Sequence, residues 1–429
     1  MLGPILRYML DPHTTLSHYA SRYGDPFYLP VPGTRGAVVT GRPEGIREIF
    51  GAHPDTFEPF ASEAHRQVMG ARGFFARAGS RQRAARKLVQ PAMVGAALRA
   101  CGPALQSAVD RVTRDRRTED IVDFRVLAKT IALDAVSAAL FGCRAPVLAE
   151  RLKRAFADGL ERTHPAPLYL PFLRHEFGGH GPWARAMTML RETMALLADE
   201  IRTRQATEPG DGITGSLLQA RYDDGSTIDP EEIRDLLYDL AIAGYDTTAG
   251  ALVWAAHDIV NTSGVQSRLA GELALLGEPP TPDELAGLAY LDAVCNETLR
   301  RRPLLVLVSR RLRQPFTLLG HELPAGNGVS VAIGIAHFRE DVYPEPLSFV
   351  PERFLSRSFS PFEFLPFGGG AKRCLGASLA LYEMKVVLGT LFSRFELSAV
   401  DRSPARPRPQ GVSISPSRPV RMRMKPRHR

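Results

Sequence analysis

Cysteine is scarce, with four in 429 residues at positions 101, 143, 295 and 374. No two stand close enough to form a metal knuckle or a redox pair, which excludes a zinc ribbon and an iron–sulfur cysteine set. A chain of this size with so few cysteines reads as reduced and cytoplasmic, with no disulfide framework. Lysine is nearly absent, with 6 beside 48 arginines, at a formal charge of +8. The arginines are scattered and not massed in a stripe with interleaved aromatics, so nucleic-acid binding is not expected. A basic face for an acidic partner is compatible with the surplus. No run approaches the ~18 apolar residues of a membrane helix. Residues 1–10 are broken by Pro4 and Arg7 and lack the apolar core and cleavage site of a secretory signal. Repeats and low-complexity runs are also absent. The balance of 44% hydrophobic and 23% charged residues is that of a globular chain.

The patterning predicts one large, mainly α unit over 1–429 with small β-sheets. Its β-rich parts are expected at about 20–60 and 303–336, and its helical parts at about 81–300 and 377–395. Asp229-Pro230-Glu231-Glu232 is a strong helix opening: a capping carboxylate, a first-turn proline and two acids at the positive dipole end. The helix that follows to about Val260 is apolar nearly all round, so it must run through the middle of the protein. A last helix is expected from about Ala377 to Phe395. Val412–Ser415 and Val420–Met424 alternate as strands do and predict a C-terminal hairpin, with order ending at about Lys425.

Three constellations carry chemistry. In Phe367-Gly368-Gly369-Gly370-Ala371-Lys372-Arg373-Cys374, consecutive glycines permit backbone paths closed to other residues and lead to a cysteine just before a helix. Free N–H groups there, with Lys372 and Arg373, favour an anionic sulfur. A thiolate with no other metal ligand nearby suits one bond to a cofactor iron; the plainer alternative is a glycine-rich turn holding an inert cysteine. The second constellation, Ala243-Gly244-Tyr245-Asp246-Thr247-Thr248, sets a glycine, an acid and two hydroxyls in the most apolar helix. Each is unfavourable there, which marks either a functional site or a kink with a satisfied polar pair. Small residues at Ala243 and Gly244 leave room for a flat ligand, and Asp246 and Thr247 offer a carboxylate and a hydroxyl for proton delivery. The third is Glu297-Thr298-Leu299-Arg300, whose acid and base share a helix face, 77 residues before Cys374.

These elements, with Pro351-Glu352-Arg353-Phe354, stand in an order and spacing that resembles the cytochrome P-450 superfamily of haem-thiolate monooxygenases, soluble bacterial type. The resemblance implies that fold, with a long central helix over the haem and the cysteine loop beneath it. It implies haem b bound through Cys374, with Phe367 packed near the sulfur. Candidate propionate ligands are Gln82, Arg86, Arg310 and Lys372, with Arg310 and its neighbour Arg311 not distinguished. Asp246 and Thr247 would handle protons during O–O cleavage, and Glu297, Arg300 and Arg353 would form a buried ion triad. The loop Glu58–Ala78, with Phe60, Met69, Phe74 and Phe75, would cover the substrate pocket. Leu304–Val308, with Leu305 and Val306, would form another wall, and Leu160–Met189 the lid. The implied activity is insertion of one atom of O2 into a C–H bond of a hydrophobic molecule such as a terpenoid, steroid or fatty acid. Electrons would come from a ferredoxin or flavodoxin with its reductase, and a monomer is expected. A peroxygenase or isomerase working without a redox partner is the alternative. Gln82 and Lys372 stand where the family often has His and Arg.

Overall fold

The computed structural model describes residues 7–8, 10–31, 34–60, 69–114, 120–142, 150–152, 154–155, 173–175, 177–401, 405–410 and 413–427. Its longest element is a helix of 32 residues, Pro230–Asn261, the central helix hereafter. Asp229 caps it by accepting the Glu231 N–H at 2.8 Å, and Pro230 fits the first turn, where a missing N–H costs nothing. Leu236, Leu237, Ala241, Leu252, Trp254, Ala255, Ala256 and Ile259 are all buried, so neighbours cover the helix on every side. Burying one such leucine contributes about 2 kcal/mol. The neighbours are helices Phe124–Phe141, Pro182–Ala206, Ala289–Arg301 and Ala377–Arg394.

Short strands from distant parts of the chain frame one end. Phe27–Leu29, Ala37–Thr40, Gly328–Val331, Val308–Leu312 and Phe57–Pro59 form a five-stranded sheet in that spatial order. All neighbours are antiparallel except Ala37–Thr40 beside Gly328–Val331. Helices Pro12–Tyr23 and Pro43–Gly51 are interleaved with these strands.

The C-terminal strands depart from expectation. Ser413–Pro416 pairs with Pro407–Gln410, while Arg421–Pro426 lies between Asp120–Asp123 and Phe395–Ala399. The alternation in Val420–Met424 marks a strand correctly, because Met422 and Met424 are fully buried and Arg421 and Arg423 are exposed. It does not choose the partner. A central position gives this strand two ladders and a core face, more than a two-stranded hairpin could supply.

Candidate active site

The cysteine loop is shaped by its glycines. Cys374 N–H donates to Phe367 O at 2.9 Å and closes the loop, and Phe367 packs on the main core. Gly368 and Gly370 have φ of 64°, a left-handed conformation that glycine adopts freely. A Cβ on Gly369 would lie 2.2 Å from the Phe50 ring, and one on Gly370 would lie 2.5 Å from Phe50 O. The run therefore threads the chain against Pro43–Gly51 with no space for a side chain.

The Cys374 side chain is accessible, yet surrounding protein desolvates the thiol and raises its pKa, while the Gly376 N–H, Arg86 and Arg373 pull it down. The next residue, Leu375, packs on the core cluster that contains Ala241, Tyr245 and Ala249 of the central helix.

Cations converge here. Arg310 is 4% exposed, and its Nε has no hydrogen-bond partner. It donates to Gly369 O at 3.1 Å, and burial lowers its pKa to about 10. Lys372 donates to Arg77 O at 3.2 Å. Burial and then the Arg310 charge lower its pKa to about 8. Arg86 donates to Arg373 O at 2.6 Å, and burial pulls its pKa down. Four residues back on the same face of helix Gly79–Val89, Gln82 is buried. Among the described residues none of these three cations has a carboxylate partner. Arg311, the next strand residue, instead faces outward and pairs with Glu58 at 2.5 Å. One buried and two half-buried cations near the cysteine loop fit a flat metallated ring that carries carboxylates.

On the central helix, Thr247 Oγ1 donates to Ala243 O at 2.6 Å, and Asp246 Oδ2 accepts from Ser413 Oγ at 2.6 Å. Both residues are half-buried. The space expected beside Gly244 is filled differently: a Cβ there would meet Val136 Cγ2 at 2.9 Å, so its smallness admits the neighbouring helix. Ala243 remains half-buried. Thr248 donates to Glu383 at 3.3 Å, and burial raises the pKa of that carboxyl to about 8.

The Glu297 cluster is assembled. Arg300 Nε and Nη2 reach Glu297 at 2.7 and 2.9 Å, and Arg353 Nε reaches it at 3.2 Å. The Val350 N–H donates to the same carboxylate at 2.9 Å. Arg300 also caps His337 O and Ser348 O. His337, which no sequence spacing marks, links this cluster to the cysteine loop. Its Nε2 accepts from Leu365 N–H at 3.0 Å, which leaves Nδ1–H to face Arg300 O at 3.2 Å. Burial and the Arg300 charge lower its pKa to about 3, so it stays neutral.

A loop over residues 69–78 is strapped to the central helix by acids at successive turns. Arg72 pairs with Asp229 at 2.8 Å and Arg77 with Glu232 at 2.7 Å. The N–H groups of Arg72 and Phe75 donate to Asp235 at 3.0 Å and to Asp239 at 3.1 Å. Gly73 is required because a Cβ would touch Asp239 Oδ2 at 2.1 Å. Asp235 and Asp239 are buried acids four residues apart in an apolar helix, and that pattern is the signal that could have singled them out. The loop's Met69 and Phe74 pack beside the central helix, and Phe75 is 40% exposed. The Phe60 ring lies against Gly328 of the five-stranded sheet. Leu305 is exposed, and Val306 is buried with Leu16, Phe27, Leu29, Val39 and Ala332. Of Leu160–Met189, residues 160–172 and 176 lie outside the described residues. No described helix is long and apolar enough to cross a membrane.

The cytochrome P-450 family model matches residues 1–423. A Mycobacterium tuberculosis protein provisionally named cytochrome P-450 135B1 is 34% identical over 420 residues, covering 94% of this chain and 85% of the relative. Another from that organism, provisionally cytochrome P-450 137, is 30% identical over 412 residues, covering 94% and 84%. The solved structure of retinoic-acid-bound cyanobacterial CYP120A1 superposes with a TM-score of 0.88 at 23% identity, covering 98% of this chain and 96% of that one. A match along nearly the whole length, on a chain whose cysteine loop follows, in sequence order, a central helix carrying an acid and a hydroxyl, settles the family: the chain belongs to the cytochrome P-450 family of haem-thiolate monooxygenases.

Proposed function

We propose that Cys374 is the axial thiolate, that Arg86, Arg310 and Lys372 with Gln82 hold the haem propionates, and that Asp246 and Thr247 deliver protons. The observation that carries this reading is the gathering, at the cysteine loop, of one buried and two half-buried cations that have no carboxylate partner among the described residues. Removing such cations from water is costly until anions meet them, and Arg is shaped to grip carboxylates. When bound, haem supplies dioxygen binding and the two-electron chemistry that puts one oxygen atom into a substrate C–H bond.

The chain's own groups do the rest. The Thr247 hydroxyl proton is engaged by Ala243 O, so its oxygen lone pairs remain free to accept a hydrogen bond from a group beside the helix. Asp246, half-buried one residue earlier, can exchange protons with water and pass them along that face. Met69, Phe74, Phe75 and Leu305 favour a hydrophobic substrate of terpenoid, steroid or fatty-acid type by excluding water. Electrons come from a ferredoxin or flavodoxin with its reductase, drawn to a basic face that includes the exposed Arg83 and Arg373. Ligand screening by spin-state shift supplies a substrate for the test. Thr247→Ala should then lower product formed per electron pair by about tenfold or more, with peroxide released in its place. Fully coupled turnover in that variant would refute the proton role.

A further inference from the structure

We propose that Ser413 is a positioning residue: it fixes the Asp246 carboxylate for proton delivery and ties it mechanically to the wall segment that begins at Leu304. The inference rests on the reading of Asp246 and Thr247 as the proton-handling pair. Ser413 opens the strand Ser413–Pro416 and is 2% exposed. Its hydroxyl donates to Asp246 Oδ2 at 2.6 Å, the length of a charge-assisted O–H···O bond.

The neighbouring contacts hold that hydroxyl in place. Ile414 N–H donates to Leu304 O at 2.9 Å, and Ile414 O accepts from Trp254 Nε1 at 2.9 Å. Asp246, Gly250 and Trp254 stand four residues apart and so form one stripe along the central helix. At the middle of the stripe a Cβ on Gly250 would lie 3.2 Å from Leu304, 3.9 Å from Ser415 Oγ and 4.0 Å from Ser413 Oγ. The glycine therefore lets strand and wall approach the helix together. The strand is pinned to helix and wall at 246, 254 and 304, with Ser413 at the end nearest the acid.

A free aspartate turns broadly about its last torsion, and a proton carrier needs one orientation. A donor on Oδ2 supplies it without consuming a proton, because the serine keeps its own. A ligand pressing on Leu304 or Leu305 also presses, through Ile414, on the residue next to Ser413. That gives substrate occupancy a route to the acid.

The experiment uses the full-length holoenzyme as Ser413→Ala, Ser413→Thr, Asp246→Asn and Thr247→Ala. Product per electron pair is measured with the screened substrate, and the carboxylate stretch of the resting protein is followed by infrared difference spectroscopy. Ser413→Ala should raise the peroxide share by about tenfold and shift a carboxylate band that Asp246→Asn abolishes. Ser413→Thr, which keeps the hydroxyl, should restore both. If Ser413→Ala does not fold, Ser413→Cys carries the same test, being near in size but a weak donor. Coupled turnover and an unmoved band in Ser413→Ala, beside an uncoupled Asp246→Asn, would overturn the inference and leave the proton-pair reading standing. Coupled turnover in Asp246→Asn and Thr247→Ala would instead remove the reading beneath it.

Discussion

Glu383, nine residues after Cys374, is a carboxyl placed where a charge is poorly tolerated. It is 2% exposed, accepts a hydrogen bond from Thr248 at 3.3 Å, and has its pKa lifted to about 8 by burial. An unfolded glutamate titrates near ~4.3, so the folded chain keeps this proton through neutral pH while the unfolded chain loses it. The contribution to stability is therefore whole below about pH 4 and is lost as pH rises towards about 8. Glu383→Gln carries a permanent neutral analogue of the acid. Thermal midpoints between about pH 5 and about pH 8 should fall for the wild type and stay flatter for the variant. Equal slopes would show that Glu383 is already ionised in the fold. A single residue of this kind is illegible in sequence, since nothing at Tyr382-Glu383-Met384 distinguishes a buried acid from a solvated one.

At the scale of elements, the strapped loop joins the central helix to the cysteine loop. Arg77 donates to Glu232 on the central helix, and its carbonyl accepts from Lys372 on the cysteine loop. In the middle, Asp239 has a pKa raised to about 7 by burial, against the pull of the Phe75, Gly70 and Phe74 N–H groups and with a further push from Asp235. The other charged or titratable groups around this contact are Tyr238 beside Asp239, Arg72 and Arg234 at Asp235, and the Arg77–Glu232 pair. With the strap open, Asp239 meets water and titrates near ~3.9. The closed strap thus holds a proton that the open one releases. Closure is favoured most below about pH 4 and weakens as pH climbs through about 7. Carbon monoxide rebinding after flash photolysis reports passage under the strap. Its escape fraction should rise with pH in the wild type and become flat in Asp239→Asn; a pH-independent wild type would contradict the account.

Across the whole molecule, what could be read in advance was what local chemistry specifies. The central helix was expected to end near Val260 and ends at Asn261, because a capping Asp, a first-turn Pro and an all-round apolar surface are local signals. The last helix and the glycine run before Cys374 were legible for the same reason. Glu297 and Arg300 share one helix face, and Arg353 joined them only through a motif, since nothing local brings residue 353 to residue 297. Strand partners were not legible. Arg421–Pro426 finds Asp120–Asp123 some 300 residues away in sequence, a pairing set by the assembled core and not by the strand's own alternation. His337 and Ser413 escaped for a related reason. Each acts on a backbone group or a carboxylate that tertiary folding brings near, so no spacing in the chain marks it. Sequence also could not separate Arg310 from Arg311, whereas the strand buries the first and turns the second to Glu58.

The central claim, that the Cys374 sulfur is the iron ligand, is tested most directly by the absorption spectrum of the reduced, carbon-monoxide-bound protein. The wild type should show the displaced band of thiolate-ligated haem, and Cys374→Ala should lack it even where haem is retained. An unchanged band in Cys374→Ala would contradict the account.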